Sequence, residues 1–204
     1  IGKSVTIDEL LKEEGFEAVF IGSGAGLPMF MGIPGEQANG VFSANEYLTR
    51  NNLMKAFRED YDTPIAHGKK VAVVGGGNVA MDCARSAVRC NAEEVSIIYR
   101  RRQKDMTALE SEIESAVMEG IALVTLQAPV EIIKDENGNC KSLITQPQMI
   151  SAYRGSRPAP KDAAKEKQEF KADVIMIAVG QDIVSAPFEE FGIPAKWNIL
   201  QAGL

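Results

Sequence analysis

An α/β fold with a doubly wound parallel sheet and an antiparallel β-hairpin crossover is what this sequence predicts, on three observations. The run Val71-Ala72-Val73-Val74 is apolar and mostly β-branched, breaks at Gly75-Gly76-Gly77, and passes into Ala80, Cys83, Ala84, Ala87 and Val88 at helical spacing, giving strand, tight turn and helix. Residues 174–180 form a continuous apolar run of the kind found in central parallel strands. Between them the period changes: residues 130–134 and 142–150 flank Glu136-Asn137-Gly138-Asn139, and Asn-Gly supplies the positive φ angles of a tight hairpin turn.

In chain order, Thr6-Ile7-Asp8-Glu9 is a capping box ahead of Leu10 and Leu11, with Gly15 placed to end the helix. Residues 16–21 read as a buried strand leading into Gly22-Ser23-Gly24-Ala25-Gly26-Leu27-Pro28. Leu27 stands where a dinucleotide fingerprint has its third glycine, and Pro28, Pro34 and Gly35 keep a helix from starting, so this loop is no such fingerprint. It is either a glycine-rich crossover or a backbone loop lying against a ligand or a neighbouring domain. Ser43-Ala44-Asn45-Glu46 is a second capping box, before a helix carrying Tyr47, Leu48, Leu53, Met54 and Phe57. Residues 58–68 are polar, with Pro64 as a breaker, and mark a boundary. The chain therefore divides into a flanking crossover segment (1–63), a central domain (64–181) and a return segment (182–204).

His67, the only histidine, reads as a solvated loop residue, and no nucleophile or metal constellation can be built around it. Asn91 is a left-handed helix stop before the strand that ends at Tyr99. Thr107-Ala108-Leu109-Glu110 is a third capping box, opening a helix whose apolar stripe is Leu109, Ile113, Ala116 and Val117. Residues 121–126 are the third strand of the βα series. Residues 153–168 are polar and rich in Pro and Lys, an exposed loop or an extended hairpin tip, and the tail is aromatic at Phe188, Phe191 and Trp197.

A chain of 204 residues with 45% hydrophobic and 25% charged residues has the balance of a globular protein. Its net charge of −6 argues against nucleic acid or an anionic membrane as partner. No apolar run reaches the length of a membrane span, and the N-terminus has no signal-peptide pattern. Three cysteines, Cys83, Cys90 and Cys140, make no CxxC and no metal spacing; the odd count fits a reducing compartment, so the expected location is cytoplasmic and no metal is expected. The chain opens on Ile1-Gly2 rather than Met, which predicts a piece of a longer polypeptide.

The glycine turn at Gly75 has the pattern GxGxxA of a dinucleotide site. Gly75 permits the sharp turn, Gly77 lets backbone approach a pyrophosphate, and Ala80 lets the helix pack close on the strand. The helix start offers N–H groups and the positive end of its dipole to the phosphates. About 25 residues beyond Gly75, at the tip of the next strand, NAD sites carry an acidic residue for the ribose 2′-OH. This chain carries Arg100-Arg101-Arg102 there, which suits the 2′-phosphate of NADP. The plain alternative is a glycine turn in an ordinary α/β protein, followed by a solvated basic cluster. No catalytic side chain stands out.

Several motifs in order resemble one family: residues 20–28 with Gly22, Gly24 and Gly26; Ile33-Pro34-Gly35-Glu36; Ser43-Ala44-Asn45-Glu46-Tyr47-Leu48; residues 74–82; Tyr99-Arg100-Arg101; and Ala178-Val179-Gly180-Gln181. They look like the flavoproteins related to the small subunit of glutamate synthase, whose relatives include ferredoxin:NADPH oxidoreductases. The resemblance implies a Rossmann-like NADPH-binding domain of the pyridine nucleotide-disulfide oxidoreductase type, inserted into an FAD domain of the same parent chain. It further implies hydride transfer from NADPH to FAD and electron passage through iron–sulfur clusters, with a large glutamate-forming subunit as partner. The implied roles are a phosphate cradle at Gly75, Gly76, Gly77, Asn78 and Val79, 2′-phosphate recognition by Arg100 and Arg101, and nicotinamide-side backbone contacts at Gly22, Gly24 and Gly180. Gln103 stands where a second basic side chain often helps. The chain holds no FAD fingerprint and no iron–sulfur cysteine cluster, so the isolated piece is expected to bind NADPH without completing the reaction. The competing reading is a stand-alone NADP(H)-binding sensor or interaction module.

Overall fold

The computed structural model describes residues 4–154, 157–196 and 199–200. Two compact units divide the chain, one of residues 28–180 and one of residues 1–27 with 181–204. The boundary expected at residue 64 thus falls inside the larger unit, because residues 41–43 already form a strand of its central sheet.

In the smaller unit, helix α1 (Ile7–Lys12) starts as expected. Thr6 Oγ1 accepts from Glu9 N at 3.1 Å while Glu9 Oε2 accepts from Thr6 N at 2.6 Å. Gly15 follows at φ +75°. Residues 16–21 do not form the expected strand, and Phe16 and Phe20 are exposed. An extended segment becomes a strand only by sharing backbone hydrogen bonds with a neighbour, and among the described residues none pairs with the backbone of residues 17–21. Phe188 is buried within a single helical turn, Ala186–Glu189, while Trp197 lies outside the described residues.

The larger unit has three layers. Its strands run β1 (Val41–Ser43), β2 (Lys70–Val74), β3 (Glu94–Tyr99), β4 (Ala122–Thr125), β5 (Gln127–Lys134), β6 (Cys140–Arg154), β7 (Arg157–Asp162), β8 (Gln168–Lys171) and β9 (Val174–Ile177). The middle layer is an all-parallel sheet in the order β1-β9-β2-β3-β4, with Ile177 opposite Val74 and Val74 opposite Ile98. Helices α2 (Ala44–Leu48), α3 (Asn78–Arg89) and α4 (Glu110–Met118) cover one face. That core holds Val71, Val73, Val95, Ile97, Val174 and Met176 with Ala80, Met81, Cys83, Ala84 and Ala116. The alternate residues Ala72, Val74, Ile98, Ile175 and Ile177 point to the other face and pack with Ile132, Cys140 and Leu143. That second face is covered by the antiparallel sheet, in which β6 pairs with β5, β7 and β8. Burial on both faces is why the central strands β2 and β9 read as unbroken apolar runs.

Two helices depart from expectation. After α2 the backbone widens into one π turn, Thr49–Leu53, which rotates the following residues off the expected stripe, so Leu53, Met54 and Phe57 are exposed. The third capping box does not form: the N–H groups of Thr107 and Ala108 both donate to Gly76 O, and α4 begins only at Glu110. Ile113 and Ala116 are buried there, whereas Leu109 and Val117 are exposed. Asn91 takes the expected left-handed conformation, φ +64°.

Candidate functional site

The glycine turn sits at the C-terminal end of β2, in the middle of the parallel sheet, where such sheets bind ligands. Gly75 has φ +152° and its N–H donates to Ile98 O at 3.1 Å; a Cβ there would collide with the Ala178 carbonyl. A Cβ on Gly76 would stand 2.6 Å from the Tyr99 ring. Gly77 is the N-cap of α3 and has no side-chain cap. Asn78 and Val79 open the helix and are exposed. Among the described residues no acceptor takes the N–H groups of Gly76, Gly77, Asn78 or Val79. Four successive amide donors at one helix start are therefore left open among the described residues, and such donors at a helix N-terminus favour a phosphate.

The three arginines at the tip of β3 have separate fates. Arg100 is exposed and, among the described residues, makes no ion pair or hydrogen bond. Arg101 is half-buried; its Nε donates to Pro158 O at 2.9 Å, tying the end of β3 to the β6–β7 hairpin. Arg102 clamps Asp105, Nε to Oδ2 at 2.7 Å and Nη2 to Oδ1 at 2.9 Å. Arg102 holds the Asp105 carboxyl below the usual carboxylate range, and the pair caps the short turn Gln103–Asp105. Tyr99 Oη donates to Asp105 O at 2.8 Å.

Gly180, at φ +142°, ends the larger unit, and its carbonyl accepts from Met29 N at 3.0 Å. Gly22 and Gly24 belong to the smaller unit, in an irregular exposed stretch, with Gly24 at φ +74°. Glu36 of the Ile33-Pro34-Gly35-Glu36 motif is buried and accepts from Met31 N at 2.6 Å and Gly32 N at 2.8 Å, which makes it a loop-closing residue. Sequence reasoning placed Asn78 in the cradle through its backbone and missed its side-chain bond, and it missed Leu126 altogether. Asn78 Oδ1 accepts from Leu109 N at 2.8 Å. Leu126 adopts φ +58° and donates to Arg101 O at 3.0 Å, pinning the end of β3 from the far side.

The family described as pyridine nucleotide-disulphide oxidoreductase matches residues 3–202. The chain is 33% identical, over 95% of its length, to the glutamate synthase (NADPH) small chain of Halomonas elongata, of which it covers 41%. It is 36% identical over 89% of its length to the beta subunit of the NADP(+)-dependent formate dehydrogenase of Moorella thermoacetica, covering 25% of that protein. It is 34% identical over 97% of its length to the beta subunit of the NADPH-Fe(3+) oxidoreductase of Geobacter sulfurreducens, covering 29%. The chain thus spans well under half the length of these relatives. Among solved structures, Mycobacterium tuberculosis FprA in complex with NADPH matches 96% of the chain, and 55% of its own, with a TM-score of 0.74 at 19% identity. That likeness shows the fold.

Proposed function

The chain belongs to the pyridine nucleotide-disulphide oxidoreductase family, and on that footing we propose that residues 28–180 are the NADPH-binding domain of a glutamate synthase-like flavoprotein. The observation that carries the reading is a single pairing: four amide N–H groups at the start of α3 and the Arg100 guanidinium at the tip of the neighbouring strand, all without a partner among the described residues. Gly75, Gly76, Gly77, Asn78 and Val79 cradle the pyrophosphate through backbone. Arg100 grips the 2′-phosphate. Arg101, with its Nε committed to Pro158 O, offers its terminal nitrogens to the same group. Gly180 gives backbone contact on the nicotinamide side.

The hydride chemistry belongs to NADPH and to the FAD of the parent protein. This chain binds the coenzyme and orients it, and without the flavin and iron–sulfur parts it does not turn over by itself. Relatives named for glutamate synthase support reductive glutamate formation from glutamine and 2-oxoglutarate as the parent reaction, with the FAD domain and a large glutamate-forming subunit as partners. Three free thiols support a reducing, cytoplasmic setting.

Calorimetric titration with NADPH and NADH tests this. Charge-assisted contacts to phosphate contribute roughly 1.5–3 kcal/mol each, so Arg100→Ala is expected to weaken NADPH about tenfold or more and leave NADH nearly unchanged. Equal affinity of the wild-type chain for the two coenzymes would overturn the assignment.

A further inference from the structure

Asn78 is the residue of the glycine turn whose side chain is already committed. Its Oδ1 accepts from Leu109 N at 2.8 Å, beside Gly76 O, which accepts from Thr107 N at 2.9 Å and Ala108 N at 3.1 Å. Three successive amides of the loop after β3 are therefore held by two residues of the turn. At its other end the same loop leaves β3 at Tyr99, whose ring lies against Gly76 and whose hydroxyl donates to Asp105 O at 2.8 Å. Arg100 is the first residue of that loop.

We propose that Asn78 is a positioning residue for coenzyme choice: its side-chain amide holds the loop of residues 100–109 against the glycine turn and fixes the distance from the phosphate-binding N–H groups to Arg100. The proposal rests on the NADPH reading of the site. A neutral acceptor suits the place, because a carboxylate at the helix start would repel the phosphates that the free amides attract. The backbone N–H of Asn78 stays available for phosphate while its side chain turns outward to the loop. A coenzyme with a 2′-phosphate must engage the turn and Arg100 together, so it gains from having their spacing set before binding. NADH engages the turn alone and gains little.

The test uses Asn78→Ala, Leu109→Pro and the double variant in the 204-residue chain, with affinities for NADPH and NADH and a thermal midpoint for each. Leu109 already has φ −62°, the proline value, so Leu109→Pro removes the donor and keeps the local backbone angle. Each single variant is expected to reduce the preference for NADPH over NADH about threefold to fivefold, the worth of one neutral hydrogen bond. The double variant is expected to lose no more than the larger single loss, since both changes remove the same bond. A wild-type preference for NADPH that survives Asn78→Ala, or an equal weakening of both coenzymes, rejects the tether and leaves the coenzyme assignment standing. A wild-type chain with no preference rejects the assignment itself.

Discussion

Gly75 carries the strictest local demand in the turn, since φ +152° and the facing Ala178 carbonyl leave no room for a side chain. Gly75→Ala is expected to lower the unfolding free energy by about 2 kcal/mol or more, read from urea denaturation; an alanine variant as stable as the wild type would contradict this geometry. The thiols give a second prediction. Burial pushes Cys83 up to about 12 and Cys140 up to about 11, while Cys90, half-buried at the end of α3, is raised less. Iodoacetamide at pH 8 should therefore label Cys90 first and reach the other two only through unfolding; early labelling of Cys83 would contradict its burial. A thiol in the unfolded chain ionises near pH 9 and the buried ones do not, so stability should fall as pH rises from about 9 toward 12. Denaturation midpoints that stay flat across that window would count against it. The glycines and the buried Cys83 were legible in the sequence, because turn chemistry and apolar spacing are local signals. Leu126 at φ +58° was not, since leucine carries no signal for a left-handed backbone. Nor was the bond from Arg101 to Pro158, whose partner lies 57 residues away.

At the scale of elements, β2 and β9 were legible because burial on both faces leaves an unbroken apolar run, and the Asn137-Gly138 hairpin because its turn needs those residue types. Residues 16–21 carry the same kind of pattern and form no strand, which shows that the pattern reports burial potential while a strand also needs a neighbour. The start of α4 was misread for another reason: a Thr-x-x-Glu box is a local offer, and Gly76 O outbids it for the N–H groups of Thr107 and Ala108. The turn Gln103–Asp105 yields a prediction of its own. Asp105 is held below the ordinary carboxylate range chiefly by its hydrogen bond from Arg102, so the clamp is present above the ordinary value near 4 and is lost as pH falls through the lowered one. The Asp105 carboxyl followed by NMR should titrate below the usual range and return to it in Arg102→Ala; an unchanged titration would show that Arg102 is not its partner in solution.

The whole chain is two units of unequal substance: residues 28–180 hold the sheet and both large apolar clusters, and residues 1–27 with 181–204 form the other. A polypeptide of residues 28–180 is expected to unfold cooperatively and to keep the NADPH affinity of the 204-residue chain within about threefold; loss of binding would show that the smaller unit contributes to it. At this scale the sequence showed the fold class and the order of the strands along the chain. It did not show that an antiparallel sheet covers the second face, because the hairpin pattern reveals alternation without revealing what its apolar side packs against. The central claim is that backbone amides of residues 76–79 hold a pyrophosphate while Arg100 reads the phosphorylated ribose. A crystal structure of the 204-residue chain with NADPH tests it most directly. Pyrophosphate oxygens within about 3 Å of those amides, with the 2′-phosphate on Arg100, is the expected result. A coenzyme seated elsewhere, or a 2′-phosphate turned away from Arg100, would contradict it.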